Sequence, residues 1–153
     1  MIKIMFVCRG NICRSPMAEF YMKHIVKREG LQDLIQVDST ATSREEIGND
    51  THYGTRAVLD RHSIAYSPRR ARQLTKDDYE QSDLVLLMDK NNQRNIRYII
   101  PDDYDEKIHL LLEFAGENAS IADPWYTGEF DTTYRDVTRG CNALLEYIKE
   151  NLI

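Results

Sequence analysis

The sequence has few cysteines, and none of them follows a spacing that binds zinc. Its three cysteines, Cys8, Cys13 and Cys141, cannot form a fully paired disulfide framework. No Cys-x-x-Cys or cysteine–histidine spacing resembles a zinc site. We therefore predict a reducing, cytoplasmic environment and no metal ion or other cofactor.

The chain also lacks an excess of positive charge and any long apolar run. Its 153 residues carry 20 Lys and Arg against 25 Asp and Glu, a net charge of -5. A nucleic-acid binder usually presents a basic face, so we expect no nucleic-acid partner. No stretch is long and apolar enough for a membrane span. Lys3 interrupts the first apolar run, so we expect no signal peptide. Length and 42% hydrophobic content predict one domain over residues 1–153.

The most reactive combination of residues lies near the start of the chain, in the run CRGNICRSP over residues 8–16. The apolar run 2–7 before it predicts a buried parallel strand. After it, Ser15 is expected to be a helix N-cap, with Pro16 at the first helical position. Residues 8–15, which we call the 8–15 loop, therefore form a strand-to-helix turn. Such a turn directs backbone N–H groups and a helix dipole at one point, which favours anion binding.

Two side chains make this predicted anion site reactive. The dipole, the loop N–H groups and a nearby guanidinium would favour the thiolate form of Cys8, so we expect a nucleophile. Arg14 can hold two oxygens of a tetrahedral anion such as phosphate. Gly10 lets the backbone curl around the ligand, and Asn11 tolerates a left-handed conformation. The alternative is a small buried Cys8 beside an Arg14 that pairs with a carboxylate, but the strand and helix start favour catalysis.

Strand and helix patterns alternate along the rest of the chain. Strands are predicted at 34–39, 84–88 and 108–112, and helices at 16–29, 51–62, 75–82, 91–99 and 130–153. Four strands alternating with helices predict an α/β fold, a doubly wound four-stranded parallel sheet with helices on both faces.

Side-chain patterns predict which positions face the core. On the first helix we expect Met17, Tyr21 and Ile25 to point inward and Glu19 to point outward. The last helix carries one apolar stripe, formed by Val137, Cys141, Leu144, Leu145, Ile148 and Leu152. The basic cluster 69–72 is interpreted as a solvated loop in preference to a substrate-steering one. The four histidines are interpreted as surface or strand residues.

Two acidic residues follow elements that end near the predicted loop. Asp89 comes directly after the strand 84–88, at the edge where open α/β sheets bind ligands. Asp123 opens the turn Asp-Pro-Trp-Tyr, in which Trp125 and Tyr126 can flank an aromatic ring. A thiolate that attacks a phosphate monoester needs a general acid opposite it, and Asp123 is the candidate. From the residues alone, an ordinary Asp-Pro turn with a partly buried Trp is slightly favoured.

The run 8–16 resembles the signature loop of the low-molecular-weight protein tyrosine phosphatases, which lies at the N-terminus in that family. The resemblance continues in the same order through residues 71–73, 88–89 and 123–126 to the last helix. It implies a phosphotyrosine phosphatase domain over 1–153 that works through a cysteinyl-phosphate. Cys8 would be the nucleophile, Arg14 the phosphate clamp and Asp123 the general acid and base.

The same resemblance implies roles for further residues. Ser39 and Asp89 would support the loop without taking part in the chemistry, and an ordinary strand-end serine is an equal alternative for Ser39. Phosphotyrosine proteins or peptides and small aryl phosphates would be the partners. The substrate would be bound by residues of the 8–15 loop and the aromatic pair, namely Arg9, Gly10, Asn11, Ile12, Cys13, Ser15, Trp125 and Tyr126.

Three positions depart from the family pattern. Arg69 stands where many members have a His that contributes to the loop's hydrogen bonds, Glu45 stands at a common aromatic position, and Arg9 replaces a frequently apolar residue. A branch acting on phosphoarginine carries Thr where this chain has Ile12, and we expect phosphotyrosine to be preferred here. We also predict that peroxide joins Cys8 to Cys13 in a disulfide, although a Cys13 that only packs is equally expected.

The residues present disfavour two other functions. Thioredoxin-coupled arsenate reductases share this fold and loop, but they need relay cysteines in the middle of the chain, and there are none between Cys13 and Cys141. A phosphoprotein-binding module without activity is expected to have lost Cys8 or Asp123, and both are present.

Overall fold

A computed structural model describes all residues, 1–153, as alternating strands and helices. The strands are β1 (Ile2–Cys8), β2 (Ile35–Ala41), β3 (Leu84–Leu87) and β4 (Ile108–Leu110). A 3₁₀ helix (Leu111–Ala115) follows β4 directly. The α-helices are α1 (Arg14–Arg28), α2 (Tyr53–Arg61), α3 (Lys76–Gln81), α4 (Lys90–Ile96), α5 (Pro124–Thr127) and α6 (Phe130–Asn151).

The four strands form one parallel sheet in the order β2-β1-β3-β4. The chain passes from β1 to β2 on one side and then crosses to β3 on the other side of β1. The strand order reverses at this place, and open α/β sheets bind ligands there, beyond the carboxyl ends of their strands. Cys8 pairs with Ala41 and Val7 with Leu87, so the segments that follow β1, β2 and β3 leave the sheet side by side. The predicted four-stranded parallel α/β fold is confirmed.

Alternation along β1 divides the core between the two faces of the sheet. Ile4, Phe6 and Cys8 belong to a cluster of 26 buried residues that includes residues of α1, α2 and α6. Met5 and Val7 belong to a second cluster of 9 residues, which includes residues of α3 and α4. Successive side chains of a strand point to opposite faces, so Cys8 ends on the face covered by α1 and α6.

Strand ends differ from the prediction by one to two residues, for reasons of backbone pairing. β2 extends to Ala41 because its pairing with β1 continues to Cys8. On its other side the Ala41 N–H donates to the Arg72 carbonyl at 2.8 Å, and its carbonyl accepts from Leu74 at 2.8 Å. β4 ends at Leu110, where the predicted strand residues Leu111 and Leu112 begin the 3₁₀ helix instead. The predicted helix at 75–82 is α3, which begins with a reciprocal capping box between Thr75 and Asp78.

Two predicted side-chain orientations are wrong. Glu19 is only 8% exposed, because its carboxylate accepts a hydrogen bond from the Ser39 hydroxyl at 2.6 Å and pairs with Lys23. Leu152 is 37% exposed, because α6 ends at Asn151 and the helical stripe stops with it. The other five residues of that stripe are buried. No helix combines the length and the hydropathy that crossing a membrane requires.

Candidate active site

The 8–15 loop surrounds the sulfur of Cys8 with hydrogen-bonding groups. Cys8 is the last residue of β1 and is buried. Its Sγ accepts the Asn11 backbone N–H at 3.3 Å and lies 3.1 Å from the Ser15 hydroxyl oxygen. Donors around a sulfur stabilise its anionic form relative to the thiol.

Asn11 fixes the shape of the loop from within. Its φ of 60° lies in the left-handed region, which asparagine tolerates better than most residues. The side-chain amide donates to the hydroxyls of Ser15 at 2.8 Å and Ser39 at 2.9 Å. Its side-chain carbonyl accepts from Arg69 and from the Arg72 backbone N–H, the latter at 3.2 Å. Since Asn11 is fully buried, these bonds hold the turn in one conformation.

The expectation that Ser15 caps the first helix is wrong. α1 begins at Arg14, and its N-cap, Cys13, makes no side-chain capping bond. The Ser15 hydroxyl accepts from Asn11 and faces the Cys8 sulfur, with the Thr40 carbonyl at 3.4 Å. Because the Ser15 hydroxyl contacts groups of the loop and of β2, it does not accept from the free backbone N–H groups of the first helical turn. The start of α1 therefore has no side-chain cap.

Arg14 is a buried cation held by one carboxylate and one carbonyl. It is 2% exposed, and its Nη1 donates to Asp89 at 2.7 Å and to the Ile121 carbonyl at 2.8 Å. Nη2 lies 3.5 Å from Asp123, and Nε has no partner in the chain. Burial would lower the pKa of Arg14, but the charges of Cys8, Asp89 and Asp123 raise it above its ordinary value. The guanidinium therefore stays charged and retains donors for an oxyanion.

Asp123 lies across the site from the loop. It is the N-cap of the short helix α5, where its Oδ1 accepts the Trp125 N–H at 3.1 Å, and Pro124 occupies the first helical position. The stretch predicted as an Asp-Pro turn is thus helical. Trp125 is 55% exposed and Tyr126 70% exposed, so more than half of each side chain is open to contact.

A small cavity of about 110 Å³ joins these groups. Four predicted residues, Asn11, Ser15, Ser39 and Asp89, do not line it. Asn11 and Ser15 contact the Cys8 sulfur, Asp89 accepts from Arg14, and Ser39 accepts from Asn11. Glu46 lines it although the sequence did not single it out. The lining comes from the 8–15 loop, from two glutamates after β2, and from Asp123 with the two aromatic residues that follow Pro124. These residues are Cys8, Arg9, Gly10, Ile12, Cys13, Arg14, Glu45, Glu46, Asp123, Trp125 and Tyr126. No group of three or more His, Cys, Asp or Glu side chains is placed to hold a metal ion.

Comparison with known proteins agrees with this geometry. The family model described as low molecular weight phosphotyrosine protein phosphatase matches residues 3–152. The chain belongs to this family. It is an enzyme, a low molecular weight protein-tyrosine-phosphatase.

Individual relatives cover nearly the whole chain. Low molecular weight protein-tyrosine-phosphatase YfkJ of Bacillus subtilis is 35% identical over 152 residues, which are 98% of this chain and 97% of the relative. The YfkJ crystal structure superposes with a TM-score of 0.96 and covers 100% of this chain and 98% of that one, at 34% identity. The phosphotyrosine protein phosphatase of Gallus gallus is 38% identical, over 94% of this chain and 93% of its own. A Drosophila arginine phosphatase superposes with a TM-score of 0.88 at 28% identity, covering 98% of this chain and 99% of that one.

The prediction that residues 69–72 form a solvated loop is wrong for Arg69, which stands where many members of the family have a His. Its Nη1 donates to the Asn11 backbone carbonyl at 2.9 Å, and its Nη2 donates to the Asn11 side chain. Burial lowers the pKa of Arg69. The family's His at this position was the signal that could have placed Arg69 in the loop network. The neighbouring Arg72 instead pairs with Asp78 at 2.8 Å.

His52 supports the aromatic side of the cavity, a contact that the sequence did not indicate. It is the N-cap of α2, where its Nδ1 accepts the Gly54 N–H at 3.0 Å. Its ring stacks on Phe130 at 5.2 Å and meets Trp125 edge-on at 5.5 Å between centroids. Burial lowers the pKa of His52, and the charge of Arg56 lowers it further. A neutral imidazole suits both the acceptor role and the stacking.

Cys13 differs from Cys8 in its surroundings. It packs in a small apolar cluster with Ile12 and Ala71 and is buried. Burial, together with the charges of Cys8 and Asp123, raises the pKa of the Cys13 thiol. The predicted Cys8–Cys13 disulfide stays a prediction.

Proposed function

We propose that the enzyme hydrolyses phosphotyrosine monoesters through a cysteinyl-phosphate, with Cys8 as nucleophile, Arg14 as phosphate clamp and Asp123 as general acid and base. One observation carries the proposal. Three residues from β1, the start of α1 and the N-cap of α5 line the same small cavity, although 109 positions separate Arg14 from Asp123. These are the groups that phosphoryl transfer without a metal ion requires.

In the first step, the Cys8 thiolate attacks phosphorus in line with the phenolic oxygen. The bond between phosphorus and that oxygen breaks, and Asp123 in its acid form transfers its proton to the departing phenolate. The three remaining oxygens accept hydrogen bonds from the free donors of Arg14 and from loop N–H groups between Arg9 and Ser15. These donors are fixed before the reaction, so they stabilise charge as it spreads in the loose transition state.

In the second step, water attacks the phosphorus of the cysteinyl-phosphate. Asp123, now a carboxylate, takes the proton of that water, and the sulfur leaves as a thiolate. The Asn11 N–H at 3.3 Å and the Ser15 hydroxyl at 3.1 Å stabilise the leaving thiolate, as they stabilise it as a nucleophile. Inorganic phosphate is released and the free enzyme is restored.

The lining of the cavity supports an aryl substrate. Ile12 offers an apolar surface with no hydroxyl for a guanidinium, and Trp125 and Tyr126 present exposed rings. We infer phosphotyrosine proteins or peptides and small aryl phosphates as substrates, acted on in the cytoplasm by a single domain over 1–153. Phosphoserine is too short to bring its phosphorus to Cys8 past such rings. A Drosophila arginine phosphatase shares the fold, so phosphoarginine is the substrate to compare directly.

Two assays test the proposal. Purified protein should hydrolyse p-nitrophenyl phosphate in the presence of a chelator. Its kcat/KM on matched peptides should be higher for phosphotyrosine than for phosphoserine, phosphothreonine and phosphoarginine. An inactive protein, or activity that a chelator abolishes, would contradict the mechanism. A value for phosphoarginine equal to that for phosphotyrosine would contradict the substrate assignment alone.

A further inference from the structure

An open groove adjoins the active-site cavity on the side of β2 and α4. Its volume is about 720 Å³, and it shares Arg9 and Glu45 with the cavity. Three segments contribute to it: residues 42–45 after β2, residues 73–76 before α3, and residues 95–99 at the end of α4. We call this the basic groove. A peptide with its phosphotyrosine in the cavity has a continuous path from the rim into the basic groove.

The charge in the basic groove is positive, although the chain as a whole is negative at -5. Three cations and one carboxylate line it. The carboxylate, Glu45, is bonded to Arg9 at 2.7 Å, so these two charges cancel. Arg44 and Lys76 are exposed and form no ion pair. Two solvated cations are therefore free to bind anionic groups.

Two other features of the basic groove suit a peptide. Tyr98 is 89% exposed and offers an aromatic face that no other side chain covers. Thr42 is buried at the wall, and its hydroxyl has no hydrogen-bond partner in the chain. Buried hydroxyls without partners are uncommon in folded proteins.

The part of the cavity near Trp125 is acidic. Glu46 and Asp123 line the cavity there, and His52 packs between Trp125 and Phe130. Acidic peptide residues on that side would meet like charge. The basic groove and this acidic part of the cavity therefore differ in the sign of their charge.

We propose that the basic groove binds acidic residues next to phosphotyrosine in the substrate, through Arg44 and Lys76. The inference rests on the proposed function, because phosphotyrosine must occupy the cavity. The proposal does not include Arg9, because Glu45 already neutralises its guanidinium. Exposed charge pairs contribute modestly and are screened by salt, so we expect about tenfold in kcat/KM at low ionic strength for two pairs together.

The test uses three phosphotyrosine peptides and p-nitrophenyl phosphate, which has no flanking residues. One peptide carries Glu and Asp before the phosphotyrosine, one carries them after it, and the third carries Gln and Asn at all those positions. The wild-type protein is compared with Arg44→Glu/Lys76→Glu. A matched control, Lys27→Glu/Arg135→Glu, changes net charge equally at two exposed helical positions that line neither cavity nor groove.

We expect the wild type to prefer at least one acidic peptide over the neutral one, mainly through a lower KM. The groove variant should lose or reverse that preference and keep its rate on p-nitrophenyl phosphate, and the control should keep both. High salt should reduce the wild-type preference. A groove variant that retains the preference, or a control that loses it equally, would overturn the inference. A wild type inactive on p-nitrophenyl phosphate and on all peptides would instead overturn the proposed function, and the groove's role with it.

Discussion

The active site has a floor and a rim that differ in how firmly the protein holds them. The floor is the 8–15 loop apart from Arg9, and the rim is Arg9, Glu45, Trp125 and Tyr126. In the floor, Asn11 and Ser15 are fully buried and bond to each other and to β2. In the rim, the side chains of Arg9 and Glu45 are 48% and 58% exposed and bond mainly to each other. Buried hydrogen-bond networks rigidify a site, whereas exposed pairs contribute little.

This difference assigns the two parts separate tasks. Electrostatic stabilisation of a transition state requires donors that are in place beforehand, and only the floor provides them. The rim can change its residues at small cost to stability, which agrees with its departures from the family pattern at Arg9 and Glu45. Floor substitutions should therefore change kcat strongly, and rim substitutions should change KM weakly.

The largest effect is expected for Cys8→Ser, which removes the proposed nucleophile from the floor. A serine hydroxyl is a far weaker nucleophile, so turnover should fall by about 10⁴-fold or more. Because Arg14 and the loop N–H groups remain, inorganic phosphate should still bind, and calorimetry would measure this. Cys141→Ala, which removes a core thiol, is the control and should stay active. Substantial activity in Cys8→Ser would end the assignment of Cys8.

A smaller effect, which depends on the leaving group, is expected for Asp123→Asn. Loss of a general acid should slow hydrolysis by about 10² to 10³-fold for aryl phosphates with basic phenols, and much less for acidic phenols that leave unprotonated. A series of substituted phenyl phosphates measures this slope. Asp131→Asn, an exposed carboxylate on α6, provides the control. Equal losses across the series would indicate that Asp123 only positions other groups.

The effect of Arg69→Ala on kcat should be smaller than that of floor substitutions and larger than that of rim substitutions. Arg69 bonds to Asn11 at two atoms but is only partly buried, so its loss should relax the loop and lower kcat about tenfold, with little change in KM. Arg69→Lys should recover part of this rate because it keeps the charge without the planar fork. Its exposed neighbour gives the comparison variant, Arg70→Ala. If Arg69→Ala changed only KM, Arg69 would act like a rim residue and would not support the loop's donors.

The smallest effect is expected for Arg9→Ala. The exposed pair with Glu45 should contribute about 0.2–1 kcal/mol to the free energy of unfolding, measured in a double-mutant cycle with Glu45→Ala. Activity on p-nitrophenyl phosphate should change by about threefold at most, a difference of under 1 kcal/mol. If Arg9→Ala lost as much activity on p-nitrophenyl phosphate as Arg69→Ala does, the rim would take part in catalysis. Floor and rim would then not have separate tasks.

Much of the fold followed from local patterns. The apolar run before Cys8, the buried strand before Asp89 and the helical stripe of α6 each specify their element, because burial period and turn residues agree there. Boundaries were less certain. β2 extends to Ala41 through backbone pairing with β1 on one side and with residues 72–74 on the other, and no local pattern shows such partners. Leu152 followed the stripe in sequence but lies past the helix end.

The sequence by itself determined the candidate reactive groups, since a cysteine and an arginine lie within one short loop directly after an apolar strand. It also determined that strands and helices alternate, and hence the edge at which the loop lies. Only the tertiary structure decided which side chains support those groups. The Ser15 hydroxyl lies beside the cysteine sulfur and does not cap the helix. Glu19 accepts a hydrogen bond from Ser39 inside the protein, and Arg69 donates to Asn11, 58 positions away in the sequence. A buried polar group must find a partner wherever the fold brings one, and a local sequence pattern does not contain that partner.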